Sequence, residues 1–214
     1  MRIARSERER IGRSGGADAL RFDFFSPRSV QLPVLFRTFI ARNIFIMQQQ
    51  KVVSFGEIMM RLTPPDKLRF TQTDLLQVNY GGSEANVAVS LANFGLQSEF
   101  VTCLPANRVA DACLDDLRRY GVETQHIRRD GERLGIYYME ESAALRNSHV
   151  VYDRSGSSFA TLRTGTIDWE EIFRGAHWFH WSGIAAAVSA STAAVCAEAV
   201  AAARRMGLIV SCDI

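Results

Sequence analysis

The most restrictive feature of the sequence is a segment that begins with paired glycines and ends with a single glycine, Gly81 to Gly95. Apolar residues at helical spacing between them predict an amphipathic helix, with Ser83 as its N-cap and Gly95 at its end. Paired glycines can adopt positive φ and allow a ligand to approach the backbone closely. The segment therefore predicts either a backbone-lined pocket at a helix N-terminus, within reach of Asn86, or a glycine turn before an ordinary core helix.

The composition is that of an ordinary globular protein. The chain has 214 residues, of which 47% are hydrophobic and 22% charged, enough for one sizeable core. Its formal net charge of +2 is too small to indicate binding to nucleic acid or to a charged membrane surface. No apolar run approaches the roughly 20 residues that a membrane span requires. We therefore expect neither nucleic acid nor a membrane as a partner.

The cysteines are spaced irregularly, with no C-x-x-C pair and no histidine at ligand spacing. This pattern favours buried, reduced thiols in a cytoplasmic protein, and it predicts no metal site. The residues concerned are Cys103, Cys113, Cys196 and Cys212.

Residues 1–46 differ from the rest of the sequence, because arginines crowd their first part and their later apolar residues follow no clear period. One interpretation is a non-native segment, with the true start at Met47; another is a disordered or loosely packed extension. An organelle transit peptide would be poor in acidic residues, whereas this segment contains several. We assign the folded part to residues 47–214.

From Lys51 onward, apolar runs and amphipathic segments alternate. Strands are predicted over 52–55, 99–104, 177–181 and 208–213, and helices from Ser83, over 109–120, from Asp168 to Phe173, and over 191–206. This alternation with short connections is typical of an α/β protein with a parallel sheet. In the helix over 109–120, four residues are predicted to face inward: Ala112, Cys113, Leu117 and Tyr120. The strand over 177–181 is expected to place four large side chains in or near the core: His177, Trp178, His180 and Trp181.

Consecutive strands over 134–140 and 148–152 interrupt the alternation, and residues 58–62 are also extended. They predict a small β-sheet outside the main sheet, such as a lid, with its strands near 58–72 and 134–154. The last predicted strand has no helix after it and would leave an unpaired sheet edge. We expect from this that the domain is incomplete.

Five segments in this order resemble one family: Phe55–Met59, Gly81–Gly95, Leu134–Tyr138, Tyr152–Ser157 and Phe179–Ile184. The chain resembles the amino-terminal part of ribokinase/PfkB-family carbohydrate kinases, and within that family the 2-keto-3-deoxygluconate kinases. The resemblance implies an α/β fold, a ribokinase-like parallel-sheet sandwich that is incomplete here, with a small β-sheet lid.

The resemblance also implies an activity, which is ATP-dependent phosphorylation of a small-molecule sugar acid with Mg²⁺. For 2-keto-3-deoxygluconate, the product would be the 6-phosphate. The family's lids often pair between subunits, so a homodimer or higher homo-oligomer through the lid is expected. The substrate-binding residues carried over are Gly81, Gly82 and Asn86 from the glycine segment, and Tyr137, Tyr152 and Arg154 from the lid.

Residue chemistry leaves alternatives open at two of these positions, Arg154 and Tyr137, and at Glu57. A guanidinium such as that of Arg154 matches a substrate carboxylate, but it could equally be solvated. Tyr137 and Tyr138 alternate in a strand, so that one packs and the other faces the ligand. Glu57 could hold a substrate hydroxyl or cap its own turn.

The family's second signature, Gly-Ala-Gly-Asp, does not occur in the sequence. The catalytic Asp and the nucleotide site are expected beyond Ile214, so no catalytic, nucleotide-binding or metal-binding residue is assigned within the chain. This chain alone is expected to be inactive. The alternatives are a non-catalytic sugar-binding or dimerising remnant, or a kinase of fructose, ribose or another sugar.

Overall fold

The structure, a computed structural model, describes residues 50–214. The expectations for residues 1–46 lie outside this range. The strands are β1 (Lys51–Phe55), β2 (Met59–Thr63), β3 (Gln77–Gly81), β4 (Gln97–Val101), β5 (Cys103–Leu104), β6 (Arg128–Arg129), β7 (Ile136–Glu140), β8 (His149–Asp153), β9 (Ala176–Ser182) and β10 (Ile209–Asp213). The α-helices are α1 (Ser83–Asn93), α2 (Arg108–Arg119), α3 (Trp169–Phe173), α4 (Gly183–Ala187) and α5 (Ala190–Arg205).

Four parallel strands form a central sheet in the order β10-β9-β1-β4. Strand β1 occupies an inner position because its residues are an apolar run that can be buried on both faces. Val53 and Phe55 are fully buried, and Val52 is 6% exposed. The parallel pairing agrees with the alternation of strands and helices in the sequence.

A second four-stranded sheet, here called the lid, has the order β3-β2-β7-β8. Strand β2 pairs antiparallel with β3 and parallel with β7, and β7 pairs antiparallel with β8. Strands β2, β7 and β8 lie within the predicted segments 58–72 and 134–154, whereas β3 lies outside them. The rest of the first segment contains short 3₁₀ turns at Pro65–Lys67 and Phe70–Gln72. Strand β3 is an exposed edge strand, so its sequence carries little apolar periodicity.

Helix α1 packs a narrow stripe of small residues into the interior, where Ala85 and Ala88 are almost fully buried. The prediction of Ser83 as N-cap is wrong. The backbone stays extended through Gly82, which is the N-cap and whose carbonyl accepts a hydrogen bond from the Asn86 N–H at 2.8 Å. Ser83 is therefore the first helical residue.

Helix α2 begins at a side-chain cap, because Asn107 Oδ1 accepts a hydrogen bond from the Ala110 N–H at 3.0 Å. It ends before Gly121, whose φ of +79° is the left-handed conformation that glycine favours. The prediction that Ala112 and Tyr120 face inward is wrong, since both are exposed. The buried stripe lies instead at Ala110, Cys113, Leu114 and Leu117.

Helices α3 and α5 pack on one face of the central sheet and enclose an aromatic cluster. The Phe55 and Trp169 rings meet edge-on with centroids 5.1 Å apart, and the Phe173 and Phe179 rings meet at the same distance. Such contacts contribute about 0.5–1.5 kcal/mol each beyond area burial. A smaller cluster, formed largely by α1 and α2, packs separately.

Strand β9 contributes only part of its large side chains to the core. Phe179 is fully buried, and Trp181 packs against the same cluster. The prediction is wrong for His177 and Trp178, which are exposed. Trp178 alternates with Phe179, so it points away from α3 and α5, and its indole N–H donates to Ser211 Oγ at 2.7 Å. His180, on the same face as Trp178, is partly buried.

All four cysteines are free, and three of them are buried. Burial raises the pKa of the Cys113 and Cys196 thiols to about 12. Over residues 50–214, no helix has both the length and the hydropathy needed to cross a membrane. Nor does that part of the chain bring together three or more His, Cys, Asp or Glu side chains in a group that could hold a metal ion.

Candidate functional site

A cavity of about 200 Å³ lies between the lid and the carboxyl end of β1. Its walls come from the turn after β1, the end of β3, the first turn of α1, the facing strands β7 and β8, and the start of α4. Ligands of open parallel α/β sheets bind outside the carboxyl ends of the strands. All of the predicted site residues line this cavity: Gly81, Gly82, Asn86, Tyr137, Tyr152 and Arg154.

The paired glycines allow neighbouring groups to lie close to the backbone, but they do not adopt positive φ. The prediction of positive φ is therefore wrong. Gly82 is extended, with φ −171°, and Gly81 is also outside the positive-φ region. A Cβ at Gly82 would collide with the backbone carbonyl of Glu57. A Cβ at Gly81 would lie 3.3 Å from Tyr137 Oη and 3.8 Å from Asn86 Oδ1. The glycines therefore bring two polar groups and a bare backbone to the same wall.

Two tyrosines form the lid side of the cavity. Tyr137 and Tyr152 are direct cross-strand partners, and their ring centroids lie 6.0 Å apart. Tyr138 lies on the opposite face of the lid, where its ring meets Phe70 edge-on at 6.2 Å. Of the two adjacent tyrosines, Tyr137 is thus the one that lines the cavity, as the family resemblance implies.

Arg154 enters the cavity wall just after β8 and is mostly buried. Its Nη2 forms an ion pair with Glu57 Oε2, and Glu57 Oε1 accepts a hydrogen bond from Ser157 Oγ at 2.6 Å. The side chains of Arg154 and Glu57 are 22% and 3% exposed. Arg154 is therefore not a solvated surface residue, and Glu57 contacts a distant segment instead of capping its own turn.

A second buried carboxyl lies beside this pair. Ser182 Oγ donates a hydrogen bond to Glu84 Oε1, and Glu84 is 2% exposed. Burial raises the pKa of the Glu84 carboxyl, although the Ser182 hydrogen bond and the positive charge of Arg154 act in the opposite direction. Gly56 leaves the space that this side chain fills, since a Cβ there would collide with Glu84 Oε2.

Several cavity residues were not predicted from the sequence. Val150 alternates with Tyr152 along β8, so strand periodicity alone could have placed it on the same face. Ile184 and Ala185 belong to the short helix α4, which was not predicted. The signal for this helix was Ser182, whose side chain accepts a hydrogen bond from the Ala185 N–H at 3.3 Å.

The polar lining of the cavity consists of one guanidinium, two carboxyl groups, two phenol hydroxyls, one serine hydroxyl, one carboxamide and the bare backbone of two glycines. Hydroxyls, amides and backbone groups bind sugar hydroxyls, whereas a guanidinium binds a carboxylate with charge-assisted hydrogen bonds. The volume lies below the roughly 300–1,000 Å³ typical of sites for larger ligands. The arrangement suits a small, hydroxylated molecule.

The fold and the cavity define an α/β protein with a β-sheet lid over a small polar site. A family model described as pfkB family carbohydrate kinase matches residues 49–213. The match covers most of the chain, and the chain belongs to this family.

The chain is similar to kinases of several organisms. It is 31% identical to the 2-dehydro-3-deoxygalactonokinase of Haloferax volcanii over 77% of this chain and 51% of that protein. It is 26% identical to the 5-dehydro-2-deoxygluconokinase of Clostridium beijerinckii over 78% of this chain and 49% of that protein. The crystal structure of the Thermotoga maritima 2-dehydro-3-deoxygluconokinase superposes with a TM-score of 0.76 at 48% identity, over 77% of this chain and 51% of that one.

The chain thus spans about half the length of the relatives it matches. The superposition on the Thermotoga maritima structure confirms the predicted fold, a partial ribokinase-like α/β domain. The family expectation is confirmed by the match over residues 49–213.

Proposed function

We propose that this chain forms the sugar-acid-binding part of a kinase that transfers a phosphoryl group from ATP to a hydroxyl of 2-keto-3-deoxygluconate, giving the 6-phosphate. The observation that carries the proposal is Arg154 in the cavity wall. Among the described residues, it is the one cationic side chain that lines the cavity. The polar groups at Gly81, Asn86 and Tyr137 lie on neighbouring walls, available to the sugar hydroxyls.

The names of the similar proteins support an acidic substrate. By name, all three act on dehydro-deoxy sugar acids. A guanidinium has five N–H donors, and the recorded ion pair of Arg154 uses Nη2 alone. The remaining donors can bind the substrate carboxylate, while Tyr137 and Tyr152 provide apolar walls and hydroxyls beside the carbon chain. These residues would bind and orient the sugar acid and exclude water from it.

ATP and Mg²⁺ are the cofactors that the family implies. Among residues 50–214, no group of three or more His, Cys, Asp or Glu side chains could hold a metal ion, and we assign no residue there to the nucleotide or to Mg²⁺. When bound, Mg²⁺-ATP supplies the phosphoryl group and part of the charge stabilisation that its transfer requires. We therefore propose that the nucleotide site and the catalytic base lie in the part of the family's length that this chain does not span.

The direct test joins this chain to the remaining half of the Thermotoga maritima relative and assays phosphoryl transfer to candidate sugars. We expect turnover with 2-keto-3-deoxygluconate and weaker turnover with fructose and ribose. The Arg154→Ala variant should lower kcat/KM for the acid about tenfold to a hundredfold, since hydrogen bonds to charged groups contribute about 1.5–3 kcal/mol. Arg163→Ala, at an exposed position outside this cavity, is the matched control.

Two outcomes would count against the proposal in different ways. Absence of turnover with any sugar or sugar acid would contradict the kinase assignment. Turnover with fructose or ribose, but none with the keto acid, would contradict only the substrate class and would support the alternative of a neutral sugar.

We also propose that a second copy of the chain docks on the lid. Four apolar side chains in register cross the lid on the face away from Tyr137 and Tyr152: Val78, Leu62, Tyr138 and Val151. Val78 and Val151 are 54% and 48% exposed, and an exposed apolar row of this kind favours association. Light scattering should give a dimer or larger oligomer that Val151→Asp dissociates. A monomer at all concentrations would contradict the proposal.

We also propose that the chain is cytoplasmic, and its free thiols support this location. The structure contains four free cysteines and pairs none of them in a disulfide. Reduced thiols are typical of cytoplasmic proteins. Fractionation of the source cells should recover the chain with cytoplasmic markers, and recovery in a secreted or membrane fraction would contradict this location.

A further inference from the structure

Glu57 is held on all sides by contacts that leave it little freedom. Its Oε1 accepts a hydrogen bond from the Ser157 hydroxyl, and its Oε2 forms an ion pair with the Arg154 guanidinium. A Cβ at Gly135 would lie 2.7 Å from Oε1, and a Cβ at Gly82 would collide with the Glu57 carbonyl. Gly135 therefore leaves the space in which the carboxylate sits, and Gly82 leaves the space for the backbone of the same residue. A carboxylate fixed in this way can fix the cation that it binds.

Arg154 has a long, flexible side chain, which loses rotamer freedom when it binds a ligand, and this loss weakens binding. The ion pair with Glu57 has already removed much of this freedom, and it also offsets the cost of burying the positive charge. Within residues 50–214, the Arg154 Nε is buried and has no hydrogen-bond partner. The Nε–H is therefore shielded from a ligand in the cavity, and the donors left for that ligand are the terminal N–H groups that do not pair with Glu57.

We infer that Glu57, supported by Ser157, is a positioning residue that holds the Arg154 guanidinium in place for the carboxylate of the ligand. The inference rests on the proposed function and deepens it, because it assigns the preference for an acid over a neutral sugar to a pair of residues. Glu57 acts through Arg154 and need not contact the ligand. Its loss should therefore weaken the binding of acids and leave the binding of neutral sugars nearly unchanged.

Isothermal titration of the full 214-residue chain with two ligands tests this inference. The ligands are 2-keto-3-deoxygluconate and 3-deoxyfructose, in which a hydroxymethyl group replaces the carboxylate. We expect Glu57→Gln to weaken binding of the acid about tenfold and binding of the neutral analogue less than about twofold. In an Arg154→Ala background, Glu57→Gln should have no further effect on acid binding, because the two residues act as a unit. Glu132→Gln, at an exposed position, is the control.

An equal loss for both ligands, or an undiminished effect of Glu57→Gln in the Arg154→Ala background, would overturn the inference. If Glu57→Gln does not fold, Ser157→Ala replaces it, since this change removes the hydroxyl that supports Glu57, together with the acceptor of the Ala160 N–H. It should show the same selectivity to a smaller extent, and equal weakening of both ligands by Ser157→Ala would also overturn the inference.

A measurement without ligand separates this inference from the proposed function. In ¹⁵N NMR spectra, the Arg154 Nε–H signal should be sharp and slow to exchange in the wild-type chain and should broaden in Glu57→Gln. An unchanged signal would overturn the positioning role whatever the ligand. If the signal changes as expected but the wild-type chain binds no sugar acid, the proposed function fails while the positioning of Arg154 by Glu57 stands.

Discussion

At the scale of single residues, Glu84 shows how burial changes the chemistry of a side chain. Burial raises the pKa of its carboxyl in the folded state above the ordinary value of 4.5, so folding favours the protonated form. The stability associated with this proton is fully present below pH 4.5 and is lost as the pH rises through the folded-state pKa. Glu57 and Arg154 are the charged neighbours that modify this pKa.

We expect Glu84→Gln, which cannot ionise, to reduce the loss of stability that the wild-type chain suffers as the pH rises above 4.5. Urea unfolding at a series of pH values measures this, with exposed Glu132→Gln as the control. The free energy of unfolding of Glu84→Gln minus that of the wild type should increase as the pH rises. A constant difference across the series would contradict the raised pKa.

Gly82 occupies a position that has no room for a side chain. Its added Cβ in Gly82→Ala would meet the Glu57 backbone, which cannot rotate away as a side chain can. We expect a loss of about 1–3 kcal/mol in the free energy of unfolding, as for other overpacked sites. Gly183→Ala is the control, because its Cβ would meet only ordinary contacts at 3.7 Å or more. Equal stability of the two variants would mean that the turn after β1 adjusts freely.

At the scale of elements, helix α2 depends on a single side-chain cap. Asn107→Ala removes the hydrogen bond that the Ala110 N–H donates. We expect a loss of about 0.5–2 kcal/mol in the free energy of unfolding, measured by urea denaturation. Asn147→Ala, at an exposed position, should change stability little. A loss no greater than that of the control would show that the cap contributes nothing.

The elements that could be predicted from the sequence are those whose pattern reflects burial on one side. Helix α5 and strand β1 have clear apolar periods or runs, and both are present. Strand β3 is exposed at the lid edge, so burial leaves no pattern in its sequence. The prediction that His177 and Trp178 lie in or near the core is wrong, because alternating aromatic and histidine residues do not indicate which face the helices cover.

The candidate site was predictable in part for a similar reason. The residues at Gly81 and Asn86 follow from a local motif and its resemblance to a family. The contacts that organise the cavity do not, because Glu57 and Ser157 are 100 positions apart and Glu84 and Ser182 are 98 apart. Glu84 meets Ser182 because α1 packs against β9. Glu57 meets Ser157 because the turn after β1 lies against the segment that follows β8.

At the scale of the whole molecule, the cavity exists because two sheets meet at the end of β1. The turn after β1 and the first turn of α1 contribute the buried carboxyls of Glu57 and Glu84, while the lid and the residue that follows it contribute Tyr137, Tyr152 and Arg154. The chain belongs to the pfkB family and spans about half the length of its relatives. The role that we propose for this chain is therefore the recognition of the sugar acid.

The most direct test of this assignment is a crystal structure of the chain in complex with 2-keto-3-deoxygluconate. We expect the ligand to lie in the cavity between β1 and the lid, with its carboxylate within about 2.7–3.2 Å of the Arg154 guanidinium. Its hydroxyls should lie against Gly81, Asn86 and Tyr137. A ligand bound elsewhere on the chain, or bound here with its carboxylate directed away from Arg154, would contradict the central claim.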